Sequence, residues 1–274
     1  MELRVLKSLW GMTEPLHEQF KKVKDAGFSG IESPLPREEE ENQFKELLEE
    51  YEFDYIVQVG TRGNYIASFE AQVERATKFN PILINSHSAK DDMKYDEQLF
   101  FFEKAVQIEK AVNIPVSHET HRGRAMFTPW ATARLLKDIK ELKITADFSH
   151  WCCVCESMLE DQLGNITLAI QRAIHIHARV GYTGGPQVPD PSAPEYKNEL
   201  RVHEDWWKQI CLKRQREGAS FFTVTPEFGP PSYMHTLPHT NQPVIDLWEV
   251  NDWMKKRLNE QFEAFEFNKI KQKS

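Results

Sequence analysis

The chain has 274 residues, with 34 Lys and Arg against 42 Asp and Glu, so its formal net charge is −8. This acidic balance argues against a function that depends on coating polyanions such as nucleic acids. The share of hydrophobic residues is 40% and that of charged residues 28%, as in ordinary globular proteins. No stretch approaches the roughly 20 apolar residues of a membrane span, and Glu2, Arg4 and Lys7 interrupt the apolar run that a secretory signal needs. We therefore expect a cytoplasmic protein that does not bind membranes.

The four cysteines are too few for a disulfide scaffold, and three of them are crowded at Cys152, Cys153 and Cys155. A structural zinc site would need a second ligand pair at comparable spacing, whereas Cys211 stands alone. We interpret these residues as small apolar side chains in a reducing compartment.

Short β-branched runs alternate with helical patterns along the chain, which is typical of a parallel sheet with crossover helices. An open doubly wound sheet would need a glycine-rich phosphate turn after its first strand, and residues 9–12, Leu-Trp-Gly-Met, offer none. The pattern therefore predicts a single (β/α)8 TIM barrel, one domain over residues 1–274. The predicted strands are 3–9, 28–32, 53–59, 82–86, 116–119, 144–148, 173–178 and 222–227, and the predicted helices 15–26, 37–51, 68–79, 96–112, 129–142, 156–172, 203–216 and 244–265.

Polar and ionisable residues gather at the predicted carboxyl ends of the last four strands, where barrel enzymes carry their active sites. These ends read SHETHRGR, TADFSHW, HIHAR and TPEFG. Alternate side chains of a strand share a face, so Glu119, Asp147, His177 and Glu227 are expected to converge on one point. Three carboxylates and an imidazole form a hard site that suits Mn²⁺ first, with Mg²⁺, Co²⁺ and Zn²⁺ as alternatives. We predict that these four residues bind one divalent metal ion.

These motifs also resemble those of a known family, the xylose isomerase-like barrels, which include sugar phosphate isomerases/epimerases and ketose 3-epimerases. In that family one divalent metal is bound by a Glu on strand five, an Asp followed three residues later by His, the second His of His-x-His, and a Glu on strand eight. The matching positions here are Glu119, Asp147 with His150, His177 and Glu227. The resemblance follows the strand order of essentially the whole chain.

The resemblance implies a divalent-metal-dependent isomerase or epimerase of a sugar or keto-sugar derivative. The metal would bind two adjacent oxygens of a ketose, acidify the C–H between them and stabilise the resulting enediolate. Glu119 and Glu227 are then the catalytic residues, one removing and one returning the proton, while Asp147 remains a ligand. His150 would hydrogen-bond substrate oxygens, and Arg179 would offset negative charge on the polarised oxygen.

One departure from the ketose epimerases concerns the substrate. The second Glu that those enzymes carry six residues after the strand-five ligand is replaced here by Ala125, with His121, Arg122 and Arg124 nearby. Such a cluster suits a carboxylate, a phosphate or several hydroxyls, so a more anionic substrate is expected. The other residues expected at the substrate are His87, His175, Glu32, Trp10 and Trp151.

Three other functions remain open. The same residues serve a dehydratase or lyase acting by β-elimination on a 3-keto sugar or related polyol, because an enolate expels an oxygen substituent as easily as it is reprotonated. An abasic-site endonuclease of a related barrel class needs additional zinc ligands that this chain lacks, and the net charge opposes a nucleic-acid partner. A non-catalytic barrel is disfavoured by the intact ligand pattern.

The expected partner is a small sugar-like molecule. The tail at 262–267, FEAFEF, is expected either to pack the last helix on its own barrel or to be buried between subunits of a homodimer or homotetramer.

Overall fold

Eight parallel strands close into a barrel in sequence order, with β8 pairing back on β1. The structure is a computed structural model that describes the backbone of residues 1–273 and the side chains of residues 1–264. The closed order of the eight strands confirms the predicted (β/α)8 barrel. The strands are β1 Glu2–Ser8, β2 Gly30–Pro34, β3 Asp54–Gly60, β4 Leu83–His87, β5 Val116–Glu119, β6 Ile144–Ala146, β7 Ala173–Ala178 and β8 Phe221–Pro226.

Helices surround the barrel between successive strands. They are α1 Leu16–Asp25, α2 Glu41–Glu50, α3 Tyr65–Thr77, α4 Tyr95–Glu109, α5 Pro129–Asp138, α6 Ser149–Cys155, α7 Leu163–Ile170, α8 Lys197–Arg216 and α9 Leu247–Lys273. Polar side chains fix some of the helix starts. Asn64 accepts a hydrogen bond from the Ala67 N–H at the start of α3, and Thr128 accepts one from Ala131 before Pro129 opens α5. Among the described residues, no helix has the length and apolar composition to cross a bilayer.

The segment after β6 differs from the prediction. A strand to residue 148 and a helix over 156–172 were expected, whereas β6 ends at Ala146 and the short helix α6 follows directly. Phe148 already has helical dihedral angles, and Glu156 and Leu159 adopt positive φ values of 48° and 65°. The chain therefore turns twice before α7 begins, and these left-handed positions carry no glycine that marks them in the sequence.

The hydrophobic core has two parts, one outside the ring of strands and one inside it. The main core lies between the strands and the helices and includes Phe20, Phe69 and Phe101. A second, small cluster of Leu6, Ile56 and Leu83 fills the barrel interior. The polar side chains of the interior lie above this cluster, towards the carboxyl ends of the strands. Phe262 packs against the main core, while positions 265–267 of the predicted aromatic tail lie outside the residues whose side chains are described.

A buried histidine connects α8 to the chain after β7. The Nδ1–H of His203 donates to the Glu199 carbonyl at 2.8 Å, and its Nε2 accepts from the Gly181 N–H at 3.2 Å. The bond that Nε2 accepts requires the neutral ring, and burial lowers the pKa of His203 to about 4.

We predict that His203 makes folding stability fall as the pH drops from about 6.5 towards 4. In that window the unfolded chain binds a proton at this position and the native protein does not, so unfolding is favoured by up to about 1.4 kcal/mol per pH unit. Urea unfolding at several pH values between 6.5 and 5 measures this slope. The slope should be shallower for His203→Gln, and equal slopes for variant and wild type would contradict the assignment.

Candidate metal centre and active site

Four side chains from four consecutive strand ends meet at one point in the barrel mouth. Glu119 is the last residue of β5, His177 lies in β7, and Asp147 and Glu227 directly follow β6 and β8. One ligand atom of each lies within 4.8 Å of the others, and all four side chains are buried. The structure thus brings the predicted ligands together.

His177 lies between the two glutamates. Its Nδ1 is 2.9 Å from Glu227 Oε2 and 3.4 Å from Glu119 Oε2. Burial opposes protonation, but Glu227, Glu32 and Glu119 outweigh it and raise the pKa of His177 well above its usual value. Burial likewise favours the neutral form of Glu119 and Glu227, yet the neighbouring cations lower the pKa of both carboxyls. Both glutamates are therefore ionised and able to accept a proton.

Asp147 is bound by a buried arginine. Arg179 Nη2 donates to Asp147 Oδ2 and lies 3.3 Å from Glu227 Oε2. Burial, Glu119 and Glu227 raise the pKa of Asp147 to about 6, against the opposing charge of Arg179. The Ser149 N–H at the start of α6 donates to Asp147 Oδ1 at 3.1 Å. These contacts fix the orientation of the carboxylate, and Arg179 is a site residue rather than a surface arginine.

Two buried atoms of the four-residue cluster lack hydrogen bonds among the described residues. They are Glu119 Oε1 and His177 Nδ1, the latter despite its short distance to Glu227. Buried polar atoms without a partner are costly unless a ligand satisfies them. Three carboxylates and one imidazole nitrogen also match the donor preference of a divalent cation. The residues therefore fit the predicted metal.

A second polar layer lies directly beneath the cluster. Glu32 accepts from His177 Nε2 at 2.8 Å and from His175 Nε2 at 3.2 Å. Asn85 donates to Glu32 at 3.2 Å and to Glu119 Oε2 at 3.0 Å. The other nitrogen of His175 hydrogen-bonds to Thr223. His175 and Glu32 thus lie below the cavity and hold the ligands in place, whereas the sequence had placed them at the substrate.

An open cavity of about 390 Å³ lies above the cluster. His87 reaches Glu119 Oε2 at 2.7 Å, and Gln58 donates to Glu227 Oε1 at 3.0 Å. Both contacts orient the glutamates at the cavity wall. The lining residues are Leu9, Trp10, Pro34, Gln58, His87, Glu119, His121, Arg179, Glu227 and Tyr233.

Two of the predicted substrate residues, His150 and Arg122, lie beside this lining. The ring centroid of the buried His150 is 3.9 Å from that of His121, its Nε2 accepts from Arg179 at 2.9 Å, and its Nδ1 has no hydrogen-bond partner among the residues that the structure describes. Burial lowers the pKa of His121 to about 4 and holds that of His150 well below its usual value, so both rings are neutral. Arg122 packs over the ring of Tyr233, with 4.7 Å from the guanidinium carbon to the ring centre.

Trp151 lies elsewhere, which corrects its expected role at the substrate. Its ring is fully buried and stacks on Phe148 at 4.7 Å between centroids. The indole N–H donates to the Met126 carbonyl at 3.0 Å, so both the ring and its polar atom are used in packing.

Three residues of the site were missed by sequence reasoning. Gln58 and Asn85 follow Ile56 and Leu83 by two positions on β3 and β4, so the same two-residue period would have placed them in the barrel interior. Tyr233 comes from the loop after β8, and no pattern in the sequence indicates that it covers the cavity.

Comparisons with known proteins agree with this architecture. A family model described as xylose isomerase-like TIM barrel matches residues 20–184. The search of curated proteins finds no match.

Several solved structures share the fold. A D-tagatose 3-epimerase-like protein has a TM-score of 0.62 at 16% identity, covering 97% of this chain and 100% of that one. A xylose isomerase-like TIM barrel protein from Mycobacterium smegmatis in complex with magnesium gives 0.59 at 11% identity, with coverages of 84% and 92%. The probable 3-DHS dehydratase AsbF from Bacillus anthracis gives 0.54 at 16% identity, with coverages of 85% and 95%. These likenesses show the fold, and the family match spans more than half of the sequence: the chain belongs to the xylose isomerase-like TIM barrel family.

Proposed function

We propose that this protein is a divalent-metal-dependent isomerase or epimerase that acts on a sugar or keto-sugar derivative by proton transfer. The observation that carries the proposal is the pair of ionised glutamates, Glu119 and Glu227, that meets Asp147 and His177 beneath an open cavity. One structural neighbour is named as a D-tagatose 3-epimerase-like protein, which agrees with this chemistry.

The metal would be held by Glu119, Asp147, His177 and Glu227. A divalent cation there supplies Lewis-acid polarisation of substrate oxygens and makes the adjacent C–H more acidic. Mn²⁺ is our first choice for this oxygen-rich donor set, with Mg²⁺, Co²⁺ and Zn²⁺ as alternatives. The magnesium complex of one structural neighbour is consistent with a hard cation.

Glu119 and Glu227 perform the proton transfers. They come from β5 and β8, so they approach the cavity from different sides. One carboxylate removes the proton from the substrate carbon, and the other, after taking up a proton from solvent, returns one on the opposite face. His87 and Gln58 hold the two carboxylates in position through the contacts described above.

Neutral rings and one cation are available for the substrate oxygens. His121 lines the cavity, and the free Nδ1 of His150 lies behind it. Arg179 also lines the cavity and carries a positive charge that stabilises developing oxyanion character. Trp10 and Tyr233 form an apolar wall suited to carbon faces of a sugar.

The second candidate is a metal-dependent dehydratase or lyase that acts by β-elimination. The same proton removal leads to loss of a hydroxyl or alkoxide when a leaving group occupies the next carbon. A structural neighbour is named as a probable 3-DHS dehydratase, which favours keeping this reaction as the alternative.

Incubation with ketoses and 3-keto sugars in D₂O distinguishes the two reactions. We expect metal-loaded protein to place solvent deuterium at a stereocentre with no loss of oxygen, as followed by NMR and mass spectrometry. An unsaturated product would support the lyase instead. No exchange with any candidate, despite stoichiometric metal, would contradict both.

The partner that we propose is a small sugar-like molecule and not a nucleic acid, in line with the acidic chain and a cavity of about 390 Å³. The four cysteines are free thiols, which suits the cytoplasmic location that we propose. A homodimer or homotetramer stays a prediction, to be checked by light scattering.

A further inference from the structure

A second cavity adjoins the one above the metal centre. It has a volume of about 510 Å³ and shares Pro34, Gln58 and His87 with the inner cavity. Because His87 contacts Glu119 and Gln58 contacts Glu227, the outer cavity begins one side chain away from the proposed catalytic carboxylates. Its other lining residues are Leu35, Val59, Gly60, Arg62, Ser68, Gln72, Arg75 and Arg124.

The charge of the outer cavity is positive. Three arginines line it, and no carboxylate does among the described residues. Arg75 is paired with Glu41 at 2.8 Å. Arg62 and Arg124 have no ion pair within the described part of the chain, and the Arg124 guanidinium only donates to the carbonyls of Thr61 and Ala89, at 3.3 and 3.4 Å. Two guanidinium charges therefore line this cavity with no carboxylate of the described residues paired to them.

This charge contrasts with the rest of the molecule. The chain as a whole carries −8, and the inner cavity collects the carboxylates of Glu119 and Glu227. A small molecule that spans both cavities would thus meet a metal and carboxylates at one end and arginines at the other. Guanidinium groups bind phosphate and carboxylate through paired, charge-assisted hydrogen bonds.

We propose that the outer cavity is an anion subsite, in which Arg62 and Arg124 bind a phosphate or carboxylate group of the substrate at the end away from its reacting carbons. The inference rests on the proposed function, since it makes the substrate a sugar phosphate or a sugar acid. Ser68 and Gln72 supply neutral polar groups in the same wall.

Calorimetric titration of metal-free protein with inorganic phosphate tests the subsite by itself. Without metal, the Arg179 charge of the inner cavity is already paired with Asp147 and Glu227, so the share of phosphate binding that is lost on replacing Arg62 and Arg124 reports on the outer cavity. We expect saturable binding that weakens with added salt, and at least about tenfold weaker affinity in an Arg62→Gln, Arg124→Gln double variant. Arg201→Gln, which removes an exposed arginine paired with Asp205 on α8, should bind phosphate like wild type.

The single variant Arg62→Gln keeps the test decisive if the double variant fails to fold. The Arg62 side chain is exposed, so its replacement should not disturb folding. It should keep the melting temperature of wild type and still weaken phosphate binding severalfold. Absence of phosphate binding, or equal affinity in wild type and both variants, would overturn the subsite.

The source of the anion is tested with metal-loaded protein and three ligands: D-fructose 6-phosphate, D-gluconate and D-fructose. Tighter binding of the phosphate ester, lost in Arg62→Gln, identifies a sugar phosphate. The same pattern for gluconate identifies a sugar acid, and equal affinities for all three contradict the inference.

Failure of the subsite and failure of the proposed function have different signatures. Phosphate binding by a protein that binds no metal would remove the proposed function and leave the subsite. Stoichiometric metal without a phosphate effect would remove the subsite alone.

Discussion

Glu227→Gln is expected to abolish stoichiometric metal binding and to lower turnover by at least about 10³-fold. The substitution preserves the size of the side chain but removes one of three charged ligands, and with it a proton-transfer carboxylate whose contribution alone is about 10²–10⁴. Elemental analysis and the rate of solvent deuterium exchange measure the two effects separately. Glu119→Gln should behave in the same way, since Glu119 combines the same two roles.

The melting temperature gives a third readout that does not depend on knowing the substrate. Metal that binds only the native state raises the melting temperature of wild type as its concentration increases. In Glu227→Gln this increase should be small or absent. Without metal the variant should be no more stable than wild type, because it loses the charge that His177 and Arg179 hold ionised by lowering the pKa of Glu227.

The matched control is Glu74→Gln, a substitution on the exposed face of α3. It removes the same charge far from the cluster and should leave metal content and exchange rate unchanged. Full metal occupancy and wild-type exchange in both Glu227→Gln and Glu119→Gln would contradict the metal centre and the mechanism together.

The barrel itself was predictable because its signal is local. Each βα unit carries a β-branched run and an amphipathic helix, and β5 and β7 were predicted with the boundaries that the structure shows. Where boundaries differ, backbone geometry outside those patterns is the cause. The β6 prediction failed at residue 148 because the chain turns into α6, whose stop at Glu156 is a left-handed residue other than glycine.

The convergence of the ligand cluster was predictable from the two-residue period alone. Asp147 lies just beyond the end of β6 and still points to the same place as the others, since Thr120 Oγ1 hydrogen-bonds both to its N–H at 2.8 Å and to its carbonyl at 2.9 Å. That support comes from the neighbouring strand end. The layer beneath was predicted only in part: Glu32 and His175 were expected in the barrel mouth at the substrate, whereas their hydrogen bond to each other, across 143 positions of the sequence, lies below the ligands.

The walls of the cavity depend on loops, which explains the remaining differences. Tyr233 reaches the cavity from the loop after β8, and Trp151 turns into the core because it sits on the unpredicted helix α6. An aromatic residue near a strand end is equally compatible with either position until the loop path is known.

Glu32→Gln is expected to weaken metal binding by about 10- to 100-fold, although Glu32 is not one of the four proposed ligands. This is the usual effect of losing the partner that orients a ligand histidine. Glu32 accepts hydrogen bonds from Nε2 of both His177 and His175, and that contact leaves Nδ1 of His177 as the ligand atom. A glutamine presents one acceptor and one donor in the same space. Its N–H₂ group facing His177 would favour the tautomer with hydrogen on Nδ1, which blocks the metal.

Metal dissociation constants from competition with a chelating dye measure this loss, and ¹⁵N NMR of the histidine rings reports the tautomer directly. Glu109→Gln is a matched control, because Glu109 also contacts a buried histidine, His118 Nε2 at 2.8 Å, but lies on α4 away from the cluster. A structural role alone predicts that both variants lose stability and neither changes metal affinity. A positioning role requires that only Glu32→Gln shifts the tautomer and the dissociation constant together. Unchanged affinity in Glu32→Gln would mean that the second polar layer supports the fold of the barrel and not the state of its ligands.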